Sequence, residues 1–306
     1  MANRSRNQQD SGIITKSALF AAIMALVYWG FKQFGGSSSG TSQPQTEQTD
    51  PASDVASNTD NTSDVADLNY LPTGGTGEIV RHKYLTLSYS EPHEQAEWVA
   101  YELTSKQLSS WVERQDDFRP DPNVSTGSAT PNDYRGSGYD RGHLCASADR
   151  SFSREAQTET FFMSNMSPQV GPFNKGIWRE LEENVRDWAK RFKHLYVVTG
   201  PVLAKRPEGH IGKQNQVSVP VSYYKVLLDV KGGKAIAFVI PNDVSDVPIN
   251  DFAMSVDECE RITKLNFFPK VTDARTEASL EGNFDLTLWP FDKLKFKQRV
   301  EKWNKQ

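Results

Sequence analysis

Tyr139-Asp140-Arg141-Gly142-His143 and, downstream of it, Phe173-Asn174-Lys175-Gly176-Ile177-Trp178 are the stretches from which the rest of the chain is read. The first sets a titratable imidazole beside a permanently charged guanidinium, with a glycine between them. The second opens the strongest helical pattern in the sequence. Trp178, Leu181, Val185, Trp188 and Phe192 recur at three- and four-residue steps, while Glu182, Glu183, Arg186, Asp187 and Lys190 occupy the other faces. The spacing predicts a helix over 174–192, with its tryptophans in the core and an asparagine at its start, a residue type that also serves as an ordinary helix cap.

Around these stretches, segments at 81–89, 97–103, 195–199, 218–229 and 234–240 are rich in Val, Ile, Leu, Tyr or Phe and read as strands. Gly232-Gly233 marks a hairpin between the last two. Shorter helices are expected over 154–160 and 255–264. Residues 116–139, punctuated by Pro120, Pro122, Gly127, Pro131, Gly136 and Gly138, form a long irregular loop leading into the histidine motif, and loops of that length are more often functional than accidental. No repeat or second linker divides residues 70–306, which therefore read as one α+β domain whose core mixes sheet and helices.

The N-terminal part has a different composition. Residues 35–69 are dominated by Ser, Thr, Gly, Gln, Asn and Asp and contain no aromatic residue before position 70, so they cannot bury enough apolar area to offset chain entropy and read as a disordered linker. An apolar run over 17–31 is flanked by Arg4, Arg6 and Lys16 on one side and Lys32 on the other. As a helix it would measure about 22 Å against a hydrocarbon core of about 30 Å, and Ile13 and Ile14 extend it if Lys16 snorkels. Residues 13–34 are thus expected to be a signal anchor or transmembrane helix joining the chain to a membrane, with residues 1–12 cytoplasmic and the folded domain extracytoplasmic. Secretion after cleavage near Gly35-Gly36-Ser37 is the alternative.

The formal net charge is −4 over 306 residues, but residues 1–69 carry four basic and seven acidic side chains, leaving 31 basic against 32 acidic in the rest. A near-neutral domain does not bind polyanions by bulk electrostatics; any such site must be built from a few local cations and a metal. Two cysteines, Cys145 and Cys259, exclude a disulfide-dense scaffold. One bridge between them is the alternative to the expected reading, in which both are free, Cys145 as a small buried neighbour of His143 and Cys259 on one helix face with Val256 and Ile262.

A neutral imidazole at His143 can accept a proton near neutral pH. Arg141 can offer a planar fork to a phosphate, with Arg114 and Arg119 as further candidates. Asn174 offers one neutral oxygen to a hard cation such as magnesium, leaving the remaining positions to water and substrate. Glu182 can lean back along its helix to hold a metal-bound water, and Arg186, one turn further, is spaced to pair with Glu182 in a plain salt bridge. Asp140 is unfavourable beside a phosphate and is read as a supporting group. Together these residues suggest phosphodiester hydrolysis.

Tyr139-Asp140-Arg141-Gly142-His143-Leu144, Met163-Ser164-Asn165-Met166-Ser167-Pro168-Gln169 and Asn174 through Glu182 resemble the successive signatures of the DNA/RNA non-specific endonuclease family, in its endonuclease G branch. Trp98-Val99-Ala100-Tyr101, Tyr134-Arg135-Gly136-Ser137-Gly138, Val198-Thr199-Gly200-Pro201 and Tyr224-Lys225-Val226 add to the likeness, which spans residues 81–269. The resemblance implies a central antiparallel sheet flanked by helices, with a ββα-metal finger as the active site. It implies His143 as general base, Asn174 as ligand of Mg2+ (or Mn2+), Arg141 as phosphate contact and Glu182 as the acid orienting water. Asn165 is implied as a supporting residue, Arg186 as a further helix arginine near the phosphate, and Arg114 as the upstream arginine. It also implies DNA and RNA as substrates cut with little sequence preference to 5′-phosphate ends, and a homodimer is common in the family. Lys175 and Cys145 depart from the family pattern. The competing readings are a nucleic-acid-binding envelope protein that keeps the fold without activity, and a tethered structural protein.

Overall fold

A computed structural model describes residues 70–271 and 274–306. The expected anchor at 13–34 and linker at 35–69 lie outside the described residues, and among those described no helix is long and apolar enough to cross a membrane.

A seven-stranded antiparallel sheet forms the frame, in the order β1 (Glu78–Arg81), β2 (Thr86–Ser90), β3 (Gln95–Thr104), β6 (His194–Pro201), β9 (Ser222–Asp229), β10 (Lys234–Pro241) and β11 (Ala253–Met254). Its two faces follow from strand alternation. Val99, Tyr101 and Leu103 of β3, Leu195 and Val197 of β6, Tyr223 and Leu227 of β9, and Ile236, Phe238 and Ile240 of β10 belong to one buried cluster with Ile177, Leu181, Val185 and Trp188. Leu181, Val185 and Trp188 belong to the apolar stripe read from the sequence, whose first member, Trp178, is in the same cluster and whose last, Phe192, packs against it; Ile177 joins them from the turn before α3 (Arg179–Phe192). On the opposite face Tyr224 packs on Phe267, its ring centroid 5.5 Å away, just beyond α4 (Val256–Thr263).

Two expected strands are each divided. The segment expected as one strand over 81–89 turns back on itself: His82 donates its amide to the Leu85 carbonyl, and β1 pairs with β2. That turn carries no Gly, Pro or Asn to announce it. The run over 218–229 breaks at Pro220, which has no N–H for a ladder, into β8 (Val217–Val219) and β9; β8 leaves the large sheet and pairs with β7 (Gly209–Ile211). The Gly232-Gly233 hairpin, the helix over Arg154–Glu159 (α2) and the helix at α4 form as expected. Inside the irregular loop a single helical turn, α1 (Pro131–Tyr134), is held by a capping box between Thr130 and Asp133.

The element that carries the site is separate from the large sheet. β4 (Asp140–His143) pairs antiparallel with β5 (Met166–Gln169), and the chain then runs through a turn at Gly171–Phe173 and a π-turn at Asn174–Trp178 into α3. The helix expected to begin at Asn174 is therefore regular only from Arg179. Asn174 does not cap it; it sits one wide turn before it, and π-turns of this kind gather at functional sites.

Candidate active site

Gly142 pairs with Ser167, and a Cβ at Gly142 would come within 2.1 Å of the Gln169 side chain. That close approach lets the two short strands lie flat against each other and presents His143 at the end of β4. The histidine is 9 % exposed and stands between two aromatic rings, Phe118 and Phe161, at centroid distances of 5.7 and 5.1 Å. Each ring is capped by an arginine: Arg141 lies 4.0 Å over Phe118 and Arg114 lies 5.1 Å over Phe161. The imidazole Nε2 is buried and has no protein partner. Burial first, then the charges of Arg114 and Arg141, push the His143 pKa down to about 3, so the ring is neutral across the physiological range.

The strand beneath His143 is pinned by Asn165, which is fully buried. Its Oδ1 accepts the Cys145 amide at 2.9 Å, and its Nδ2 donates to the carbonyls of Cys145 at 3.0 Å and Thr160 at 2.8 Å. Asn165 thus acts on backbone. On the other side, Trp178 of the π-turn donates its indole N–H to the His143 carbonyl at 3.4 Å, tying the strand to the helix.

Asn174 donates Nδ2 to Asp140 Oδ2 at 3.0 Å, and Lys175 reaches the same carboxylate oxygen at 3.9 Å. Asp140, read from sequence only as a supporting group, orients the asparagine amide so that its carbonyl oxygen is turned away from the carboxylate. Asn174, Asp140 and Arg141 border one groove of about 420 Å³ together with Phe118, Tyr134, Arg135 and Tyr139. A single neutral oxygen beside a carboxylate, on an open groove, fits a hard divalent cation that keeps most of its water.

Glu182 projects from the first turn of α3. Burial raises its pKa to about 7 against the pull of Lys225, Arg186 and Arg114. The Arg114 charge contributes to lowering both pKa values, against the dominant effect of burial at Glu182 and with it at His143.

Residues 64–274 match the family described as DNA/RNA non-specific endonuclease. The chain belongs to this family. It is 38 % identical over 226 residues to a nuclease of Nostoc sp., an alignment covering 68 % of this chain and 78 % of that protein. It is 35 % identical over 213 residues to human mitochondrial endonuclease G, covering 64 % of this chain and 71 % of that one. Among solved structures, the crystal structure of an EndoG/EndoGI complex superposes with a TM-score of 0.60 at 32 % identity, over 65 % of this chain and 89 % of that chain. The expected α+β fold, its antiparallel sheet and its endonuclease G-like branch are borne out.

Within this endonuclease fold, Arg141 and Asn174 line the groove beside Asp140, and His143 packs edge-on to Phe118, which also borders it. Arg114 lies on the Phe161 ring next to the histidine, Asn165 pins the strand beneath, and Glu182 is held on α3 near Lys225 and Arg186. Two expectations need correction. Arg186 does not take Glu182 as its direct partner: it donates to Asp149 Oδ1 at 3.0 Å, and Asp149 is held in turn by the Tyr101 hydroxyl at 2.7 Å. A buried carboxylate from outside the helix outcompetes the neighbour one turn away, because desolvation strengthens the pair. Arg119 is bound to Asp117 and the Thr158 carbonyl and lies 4.2 Å over Phe162, a tether for the loop. Cys145 is enclosed, its thiol pushed up to about 12 by burial, and Cys259 is buried too; both are free. A thiol held in that state is a poor target for oxidants.

Lys225 is a site residue that the motifs alone do not single out. It is fully enclosed on β9, donates to the Leu144 carbonyl at 3.4 Å, lies 4.8 Å from the Trp178 ring centroid and faces Glu182. The signal was present: a lone lysine in the otherwise apolar run Tyr223-Tyr224-Lys225-Val226-Leu227-Leu228. Lysine is rarely buried fully without a reason.

Proposed function

We propose that this chain is a magnesium-dependent endonuclease that hydrolyses phosphodiester bonds of DNA and RNA with little regard to sequence. The observation that carries the reading is the neutral His143 imidazole, its buried Nε2 unpaired, between two ring-stacked arginines and beside the Asp140-oriented Asn174.

In this reading the scissile phosphate lies against Arg141 and Arg114, which neutralise its charge so that a water can approach phosphorus. His143 takes the proton from that water. A base held near pKa 3 is weak in the free protein. Burial is the larger cause of that depression and the charges of Arg114 and Arg141 the smaller; a phosphate would neutralise the two arginines and so restore that smaller part of the base's strength. Asn174 would hold the divalent cation through its carbonyl oxygen, with Glu182 holding a water beside it. The cation, when bound, supplies charge to the phosphate and acidity to the water that protonates the leaving 3′ oxygen. Arg186 and Asp149 fix the helix end of the site, and Asn165 fixes the strand. Attachment to a membrane through residues 13–34, with the domain on the far side, belongs to the same reading.

The test is incubation of the full chain with plasmid and with RNA, in magnesium or EDTA, beside His143→Ala and Asn174→Ala. Cleavage of both polymers that requires the metal and is lost in both variants is expected. Undiminished cleavage by either variant would remove its residue from the mechanism, and binding without cleavage by the unaltered chain would favour a non-enzymatic role.

A further inference from the structure

Beyond the residues matched to the family, the C-terminal segment 289–306 runs along α3 and meets it turn by turn. Trp289 is fully buried and stands edge-on to Trp188 at 5.2 Å, and Trp188 donates to the Pro290 carbonyl at 2.8 Å. The Asp292 amide reaches Asn184 Oδ1 at 3.4 Å, and Lys295 of α5 (Lys293–Glu301) pairs with Asp187. Contacts become most specific at the catalytic end. Arg299, fully enclosed, donates Nε to Glu180 Oε2 at 2.5 Å and its terminal nitrogens to the carbonyls of Ser245 and Val247. Trp303 packs under Arg179 at 4.2 Å. Asn304 donates to the Ser245 carbonyl at 3.0 Å and to Asp246 Oδ1 at 2.7 Å, while its own Oδ1 is buried without a partner against Gly176. A Cβ on Gly176 would come within 2.4 Å of that oxygen.

Gly176 stands two residues after Asn174, inside the π-turn. Gly176 has φ −100° and ψ −105°, outside the helical region, so the helix kinks there, and a relaxation to regular helix would re-aim Asn174 before it. Glycine offers the least resistance to such a change. A guanidinium buried with matched carboxylate and carbonyl partners, by contrast, fixes geometry rather than adding net stability.

We propose that the C-terminal segment is a positioning element for the metal site, with Asn304 and Arg299 holding the π-turn from outside while Asp140 holds the Asn174 amide from within. The inference rests on the reading of Asn174 as the metal ligand. Neither residue touches the substrate or the reacting atoms. Their contribution is to keep the Asn174 carbonyl aimed into the groove, so their loss is felt in metal affinity.

The experiment measures manganese binding to the full chain by isothermal titration, with melting temperature recorded in EDTA. The variants are Asn304→Ala, Arg299→Lys and a chain ended after Lys302, with Asn174→Ala as control. The expected result is a manganese dissociation constant raised about threefold or more in Asn304→Ala and about tenfold in the shortened chain, as for other outer groups that support metal ligands. A merely structural role lowers the melting temperature and the number of competent sites but leaves the dissociation constant where it was. An Asn304→Ala dissociation constant within twofold of the unaltered chain overturns the proposal, and this variant decides if the shortened chain does not fold. Manganese binding retained by Asn174→Ala overturns the underlying ligand reading instead.

Discussion

Replacing Asn165 by aspartate exchanges one NH2 for an oxygen in a fully enclosed site. The remaining oxygen can still accept the Cys145 amide, but the new one faces the carbonyl oxygens of Cys145 and Thr160, now at 3.0 and 2.8 Å from the amide nitrogen. An ionised carboxylate there has lost two donations and gained two repulsions, a situation that costs about 3–5 kcal/mol, against a domain stability of about 5–15 kcal/mol. Protonation relieves it, since a carboxylic acid can donate to one of the two carbonyls. The folded pKa of the new aspartate therefore lies above its unfolded value of about 3.9. With that sign the native state binds the extra proton, and stability relative to the unaltered chain falls as pH rises, by up to about 1.4 kcal/mol per unit until the folded pKa is passed. Urea unfolding of both proteins at pH 5 and pH 8 reads this directly: a small deficit at pH 5 is expected to widen to several kcal/mol at pH 8. A deficit below about 1 kcal/mol, or the same deficit at both pH values, would refute the account of Asn165 as the staple beneath His143.

Asp140→Asn replaces the carboxylate that orients Asn174, and the magnesium concentration for half-maximal cleavage is expected to rise tenfold or more; superposed magnesium titrations would count against it. Lys225→Met removes a cation that opposes the burial-driven rise at Glu182, so the acidic limb of kcat/KM should move to higher pH while thermal stability holds, because a desolvated charge has gone with it. A limb unmoved by the substitution would separate Lys225 from Glu182. In EDTA the two shifted groups act in opposite senses. His143, lowered to about 3, takes stability away as pH falls below its unfolded value of about 6.5, whereas Glu182, raised to about 7, adds stability as pH falls from there toward its unfolded value of about 4.5. Between pH 7.5 and 5.5 His143→Ala should gain stability relative to the unaltered chain, and Glu182→Gln should lose it; melting temperatures that move the other way would contradict the assignments.

The sequence carried the parts of this molecule that depend on periodicity and on local chemistry. The stripe from Trp178 to Phe192 announces α3 because a helix packed on a sheet must show one apolar face, and a two-glycine hairpin needs nothing beyond its own residues. The boundaries failed where the deciding force comes from elsewhere in the chain. The turn at 82–85 is made by backbone pairing of β1 with β2, not by turn residues. The π-turn at 174–178 reads as ordinary helix because its residues suit a helix, whereas its partners, Asp140 for Asn174, the His143 carbonyl for Trp178 and Asn304 against Gly176, all come from elsewhere in the chain. Arg186 illustrates the same limit for charges. Helical spacing proposes Glu182 as its partner, but Asp149, held in place by Tyr101, is reached only through tertiary structure.

The near-neutral charge balance has a structural counterpart at the site. Arg114 and Arg141 are each laid on an aromatic ring, and those rings flank His143. Stacking on Phe161 and Phe118 steadies two guanidinium groups without consuming their charge in direct carboxylate pairs at the groove, since the carboxylate that Arg114 does meet, Asp116, is itself exposed. Burial and these two cations then keep the imidazole unprotonated in the absence of substrate. A generally basic surface would hold polyanions everywhere but would leave the base equally weak with or without them. Under the proposed mechanism, confining the positive charge to two residues that a phosphate would neutralise lets occupancy of the groove relieve the arginines' share of the depression at His143, although not the larger share set by burial.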